Sequence, residues 1–164
     1  MRDPQPHHIP TAREIMTRDL VTLSPETSVF AAIRVLLKNR ISGAPVVDAD
    51  GKLVGMFSEL DCLRVLSAGE FYSDDHREEG VVRNYMTSAC KSLEPDRDIY
   101  AVSQVFLTQA VRRLPVLENG ALIGQVSRRD VLRAMEALGE RRAPRKHYPD
   151  YREPSEEVGA RRSH

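Results

Sequence analysis

A serine and an aspartate stand three residues apart at two places in this chain, Ser58 with Asp61 and Ser127 with Asp130. Each pair follows a β-prone stretch and opens a helical one, and that position permits two kinds of chemistry. The unpaired N–H groups and partial positive charge of a helix N-terminus suit a phosphate, with the serine hydroxyl as an added donor. An ionised aspartate one turn further in adds a charged acceptor that two neighbouring donors can share. The same spacing also fits a capping box, in which the serine and the acid satisfy the helix's own first amides and bind nothing. Spacing alone leans towards the cap.

The two pairs are equivalent positions of an internal repeat. Met16-Thr17 returns seventy residues later as Met86-Thr87, and at that offset Leu23, Pro25, Ala31, Val35, Pro45 and Val46 meet Leu93, Pro95, Ala101, Val105, Pro115 and Val116. One residue then drops out. At an offset of sixty-nine, Gly51, Gly55, Ser58, Asp61 and Arg64 meet Gly120, Gly124, Ser127, Asp130 and Arg133. Two copies are too few for a solenoid, which needs at least about three units to bury its faces. They suit a pseudo-twofold body with a cleft between related halves, a common place for a small ligand.

Within each copy the elements can be read in order. Leu20 to Leu23 is short and β-prone. Ser24-Pro25-Glu26 supplies a capping residue, a proline for the first helical position and an acid for the first turn, so a helix is expected to begin there. Its apolar face is Val29, Ala32, Ile33, Leu36 and Leu37. In the second copy Glu94-Pro95-Asp96 precedes Ile99, Val102, Phe106 and Leu107. A strand at Ala44 to Val47, a turn at Asp48 to Gly51 and a strand at Leu53 to Phe57 follow. The second turn is shorter, Glu118-Asn119-Gly120, and Asn-Gly marks a tight hairpin. Helices at Glu59 to Leu66 and Arg128 to Met135 close the units. The fold class expected is α/β (α+β), two pseudo-twofold related β-α-β-β-α repeats. Their bounds are 14–66 and 82–138, after a flexible lead (1–13), around a solvated connector (67–81), and before a charged tail expected to lack order (139–164).

Composition narrows the function classes. In 164 residues Lys+Arg and Asp+Glu number 24 each, which argues against nucleic acid and against an anionic membrane surface as partner. No apolar run is long enough to span a membrane, and the polar start has no signal-peptide core. Cys62 and Cys90 occupy non-equivalent positions and form neither a disulfide framework nor a zinc pattern, so a reducing, cytoplasmic setting is expected. No P-loop, Gly-x-Ser-x-Gly or His-Glu-x-x-His motif is present, so the chain does not read as an enzyme.

Four markers in the same order, twice, resemble the cystathionine-β-synthase (CBS) domain, which usually occurs as a tandem pair called a Bateman module. They are Ile15-Met16-Thr17 and Tyr85-Met86-Thr87, Ser24-Pro25 and Glu94-Pro95, Ala44-Pro45-Val46-Val47 and Leu114-Pro115-Val116-Leu117. The last are Gly55-Met56-Phe57-Ser58-Glu59-Leu60-Asp61 and Gly124-Gln125-Val126-Ser127-Arg128-Arg129-Asp130. The resemblance implies a regulatory module that binds an adenosine-containing ligand (AMP, ADP, ATP, S-adenosylmethionine or NAD) between the repeats and signals to a partner protein. It also implies that the serine and aspartate of each pair contact phosphate and ribose. Ile41, Val111 and Leu114, with strand edges at Val21-Thr22 and Lys91-Ser92, are the groups expected to hold the adenine. Arg112, Arg113 and Arg128 are expected to balance phosphate charge. The first repeat has Ser42, Gly43 and Glu59 in their place, so the two sites should differ.

Plainer readings stand beside these. The arginine pairs fit a solvated surface, His7-His8 lacks a third ligand at metal spacing, and Cys62 suits a small core position. Asp74-Asp75 reads as linker, with Mg²⁺ beside a polyphosphate as the alternative. No obligatory cofactor is expected. A ligand-free scaffold of the same fold is the competing function. Surplus apolar residues on the first helix (Val29, Phe30, Ala31, Ala32, Ile33, Val35, Leu36, Leu37) argue for a homodimer.

Overall fold

The computed structural model describes residues 8–68 and 80–142. Two antiparallel hairpins form its skeleton: β1 (Gly43–Val47) with β2 (Leu53–Ser58), and β3 (Arg113–Glu118) with β4 (Ala121–Ser127). Asn119 and Gly120 both take positive φ, 53° and 81°, the two-residue turn that Asn-Gly favours. The first hairpin is a residue longer. There the Asp48 carboxylate accepts from the Asp50 and Lys52 amides at 2.9 and 3.0 Å, and Gly51 supplies the positive φ of 77°. The offset change between the repeats is therefore absorbed in a turn. The hairpin tips then meet across the pseudo-twofold, where Leu53 N donates to Gly120 O and Leu122 N to Gly51 O.

Helices α2 (Val29–Asn39) and α3 (Glu59–Ser67) pack on the first hairpin, and α4 (Ile99–Thr108) and α5 (Arg128–Arg142) on the second. The helices α2 and α4 start later than Ser24-Pro25 and Glu94-Pro95 suggest. Ser28 and Asp98 are the caps, accepting from Ala31 N at 3.2 Å and Ala101 N at 2.9 Å. Ser24 instead closes a turn that holds Glu26 and Thr27. The expected strand at Leu20–Leu23 shrinks to one bridged residue, Leu23 beside Val46, as Leu93 stands beside Val116.

The reason for the late start lies in the other repeat. A short helix α1 (Ala12–Ile15) belongs by sequence to the first repeat, yet it packs on the second. Ala12 N donates to Arg97 O, Arg13 N to Pro95 O, and Ile99 N to Pro10 O. The 3-10 turn at Val82–Asn84 does the reverse: Val82 N donates to Thr27 O, Arg83 N to Pro25 O, and Val29 N to Gly80 O. The turns after Pro25 and Pro95 are thus occupied in receiving the exchanged segments and are not free to extend the helix. Ion pairs repeat the pattern, Arg83 with Glu26 and Arg13 with Glu118, the latter at 2.6 Å.

The cores record the same exchange. One contains Leu23, Val29, Ala32, Val46 and Phe57 with Val82 and Met86; the other contains Leu93, Val102, Val116 and Val126 with Ala12 and Met16. Gly55 and Gly124 make room for the exchanged methionines. A Cβ on Gly55 would lie 2.6 Å from Met86 Sδ, and one on Gly124 would lie 2.7 Å from Met16 Cγ. The lead expected to run to Arg13 is therefore ordered from Pro10, with Ala12 fully buried. Helix α5 also outruns its expected end at Met135, and its Ala134, Ala137, Leu138 and Arg141 line a groove with His8, Pro10, Glu14 and Ile15. Most of the connector, with Phe71, Tyr72 and Asp74-Asp75, and the tail beyond Arg142 lie outside the described residues, as does His7.

Candidate functional site

A cleft of about 320 Å³ opens between the halves, lined by Thr17, Asp19, Leu20, Val21, Ile41, Gly43 and Pro45 from the first repeat and Arg113, Gln125, Ser127, Asp130 and Arg133 from the second. Its size falls in the range of small-molecule sites, about 300–1,000 Å³. One part of the lining is polar (Arg113, Ser127, Asp130, Arg133) and another apolar (Leu20, Val21, Ile41, Pro45).

The polar end is built where β4 runs into α5. Ser127 ends the strand in extended backbone, so its hydroxyl and the first amides of α5 share the helix mouth. The Asp130 carboxylate turns back onto it. Its Oδ2 accepts from Ser127 N and from Ser127 Oγ, both at 2.7 Å, while Oδ1 accepts from Arg133 at 3.2 Å. The capping box is complete. What distinguishes Asp130 from a plain cap is its place in the cleft wall beside two guanidinium groups, Arg113 and Arg133.

Asp61 repeats the arrangement with less access. Its Oδ2 accepts from Ser58 N at 2.8 Å and Ser58 Oγ at 3.0 Å, and its Oδ1 from Arg64 at 2.8 Å. The side chain is 2% exposed, against 11% for Asp130. Cys90 lies near it, since the charge of Asp61 adds to burial in pushing that thiol upward. Cys62 is raised for the same two reasons, burial first and Asp61 second. Burial and the neighbouring carboxylate thus both disfavour the thiolate form.

Of the residues singled out from sequence, Ser127, Asp130, Arg113, Val21 and Ile41 come together in this cleft. Others do not. Leu114 is fully buried in the core of the second half, because its side chain alternates inward on β3, and it has no surface to offer a ligand. Thr22 and Arg128 are exposed outside the lining. Arg112 faces an adjoining hollow of about 790 Å³ with Arg40, Ser42, Glu59 and, shared with the cleft, Ile41 and Arg113. Lys91, Ser92 and Val111 are the counterparts of Val21, Thr22 and Ile41, so the pseudo-twofold sets them on the side of Ser58 and Asp61. The exchange thus crosses the halves: the apolar wall beside Asp130 comes from repeat one.

Sequence reasoning missed Asp19, Leu20, Thr17, Gly43, Pro45, Gln125 and Arg133. Arg133 had a signal, since Arg64 and Arg133 match in the repeat one turn after each aspartate. Gly43 and Arg113 are counterparts that both line the cleft, which places them near the pseudo-axis. Among the described residues no group of three or more His, Cys, Asp and Glu could hold a metal ion, and no helix is long and apolar enough to cross a membrane.

This fold, two hairpin-and-helix units sharing a cleft across a pseudo-twofold, is that of a tandem CBS pair. A family model of the CBS domain matches residues 12–68 and 82–137, and the chain belongs to that family. Relatives include the protein MJ1426 of Methanocaldococcus jannaschii, 30% identical over 151 residues, covering 75% of this chain and 89% of the relative. A second is the chloroplastic CBS domain-containing protein CBSX1 of Arabidopsis thaliana, 32% identical, covering 76% of this chain and 63% of the relative. The crystal structure of CBSX2 in complex with AMP is 29% identical, with a TM-score of 0.68, covering 79% of this chain and 98% of that one. Other relatives are much longer: the chain spans 42% of MJ1225 and 14% of an A-adding tRNA nucleotidyltransferase of Aquifex aeolicus.

Proposed function

We propose that this protein is a regulatory ligand-binding module that holds an adenosine-containing compound, such as AMP, in the cleft beside Asp130. The observation that carries the reading is the convergence in one cleft of a helix N-terminus with Ser127, a ribose acceptor in Asp130, two arginines and an apolar wall. Phosphate sits on the helix mouth with Arg113 as counter-charge, the ribose hydroxyls reach Asp130, and the base lies against Val21, Ile41 and Pro45. Binding of AMP by CBSX2, 29% identical to this chain, supports the choice of ligand. Because both halves line the cleft, a ligand with different affinity for two arrangements of them shifts the shape offered to a partner. The reading extends to a partner protein, to a cytoplasmic setting, and to Mg²⁺ accompanying a polyphosphate.

The module also pairs with a second copy. Leu37, Leu63 and Leu66 are exposed on one helix pair and their counterparts Leu107, Leu132 and Met135 on the other, two matched apolar faces on α2–α3 and α4–α5. A ligand-free scaffold is favoured by one observation: both capping boxes are already satisfied without a ligand.

A thermal-shift series with AMP, ATP, S-adenosylmethionine and NAD separates these readings. A ligand at about one hundred times its Kd adds about 2.7 kcal/mol to stability, a rise of several degrees in Tm. No rise with any of the four compounds overturns the ligand reading and leaves the scaffold.

A further inference from the structure

We infer that Gln125 reads the base: its side-chain amide hydrogen-bonds the ring edge of a purine held in the cleft. The inference rests on the adenosine reading and adds to it the residue that recognises the ring. Gln125 lies on β4, lines the cleft and is 8% exposed. Its Nε2 is buried and, among the described residues, has no hydrogen-bond partner.

The amide nitrogen makes no hydrogen bond to the described fold. The backbone of Gln125 is already held by Thr17, with Gln125 N donating to Thr17 O at 3.0 Å and Thr17 N to Gln125 O at 2.9 Å. The counterpart in the first repeat, Met56, makes the same pair of bonds with Thr87, both at 2.9 Å. The fold therefore accepts an aliphatic thioether at this position. An amide left unpaired there costs stability, because a buried donor has lost water and gained nothing. Such a group is explained by a partner that arrives with the ligand.

Position along the strand names the part of the ligand. Side chains alternate, so Gln125 and Ser127 share a face, and two residues separate them by about 6.6 Å. With phosphate at Ser127 on the helix mouth, Gln125 lies deeper in the cleft, at the distance of the base. A carboxamide offers a donor and an acceptor side by side. Adenine offers the complement, its 6-amino group next to N1 or N7.

The test is Gln125→Met, the residue the first repeat already carries. Calorimetric titration with AMP should show affinity about tenfold weaker than native, the loss of a bidentate amide–base contact. The ligand-free Tm should rise or hold, since an unpaired buried amide has been removed. A second measurement uses only native protein: of 1-deaza-AMP and 7-deaza-AMP, one should bind about tenfold more weakly than AMP. Native protein that binds AMP while Gln125→Met binds it equally well overturns this inference and leaves the adenosine reading standing. Equal binding of AMP and both deaza analogues overturns it in the same way. Native protein that binds no AMP overturns both.

Discussion

Removing each aspartate in turn should separate the cap from the binding site, because the two carboxylates make matching bonds in unequal surroundings. In Asp61→Ala the Ser58 amide and hydroxyl lose their acceptor and Arg64 loses a bond of 2.8 Å. Loss of a cap costs about 1 kcal/mol. The stranded N–H lies beside a side chain that is only 2% exposed, so water replaces the carboxylate poorly and about 1 kcal/mol more is lost. Arg64 is largely exposed, and its ion pair adds at most a few tenths of a kcal/mol. The sum is about 2 kcal/mol, or roughly 4–8 °C in Tm for a chain of this size. In Asp130→Ala the carboxylate is 11% exposed in an open cleft wall, water reaches the freed groups, and the cost stays near 1 kcal/mol. Affinity for AMP should run the other way. Asp130→Ala removes a charge-assisted contact worth about 1.5–3 kcal/mol, a ten- to hundredfold loss, whereas Asp61→Ala should cost less affinity than stability. Thermal melts without ligand and calorimetric titration with AMP, on both variants, read the two effects independently. If Asp130→Ala melts lower than Asp61→Ala yet binds AMP like the native protein, both residues are caps and the ribose assignment is wrong.

Further outcomes follow from the same geometry. Gly124→Ala forces a methyl against Met16 and Gly55→Ala one against Met86, so each should destabilise by about 1–3 kcal/mol in denaturant melts; a neutral Gly124→Ala would show that Met16 is not held in place. Glu118 is held below the ordinary glutamate value by its hydrogen bond from Arg13, and Glu14 by one from His8, so both add stability that is present above about pH 4.3 and lost as pH falls through their lower folded-state values. Tm measured from pH 6 to 3 should therefore drop, and Glu118→Gln should flatten part of that drop; an unchanged profile would remove the Arg13 pair from the account. Cys62 and Cys90, raised chiefly by burial, should react with iodoacetamide at pH 7.5 more slowly than in the urea-unfolded chain, and equal rates would contradict that environment. Sedimentation at tens of micromolar should show a dimer, roughly the regime in which an interface of standard size persists, and Leu37→Lys with Leu107→Lys should shift it to monomer.

The sequence by itself determined whatever depends on neighbours a few residues apart. Asn119-Gly120 specified a tight turn because few other residues tolerate two positive φ angles in succession. Ser58 with Asp61 and Ser127 with Asp130 specified capping boxes because three residues is the reach of a side chain back to its own helix start. The repeat register itself matched Met16 with Met86 and Gly55 with Gly124, and from it the pseudo-twofold was legible.

Tertiary structure decided which half each of those residues serves. Periodicity places Met16 beside Thr17 on a segment, but nothing local says that the segment crosses to Gly124 and Gln125 of the other repeat. That choice rests on contacts more than one hundred residues away in sequence, and companion bonds, from Ala12 and Arg13 to Arg97 and Pro95 and from Val82 and Arg83 to Thr27 and Pro25, delayed the start of α4 and α2 by claiming the turns after Pro95 and Pro25. It also sorted the apolar wall of the cleft. Val21 and Ile41 face Asp130 while Leu114, equally apolar, is consumed by the core, since hydrophobicity gives a side chain a reason to be buried without naming the surface it is buried against.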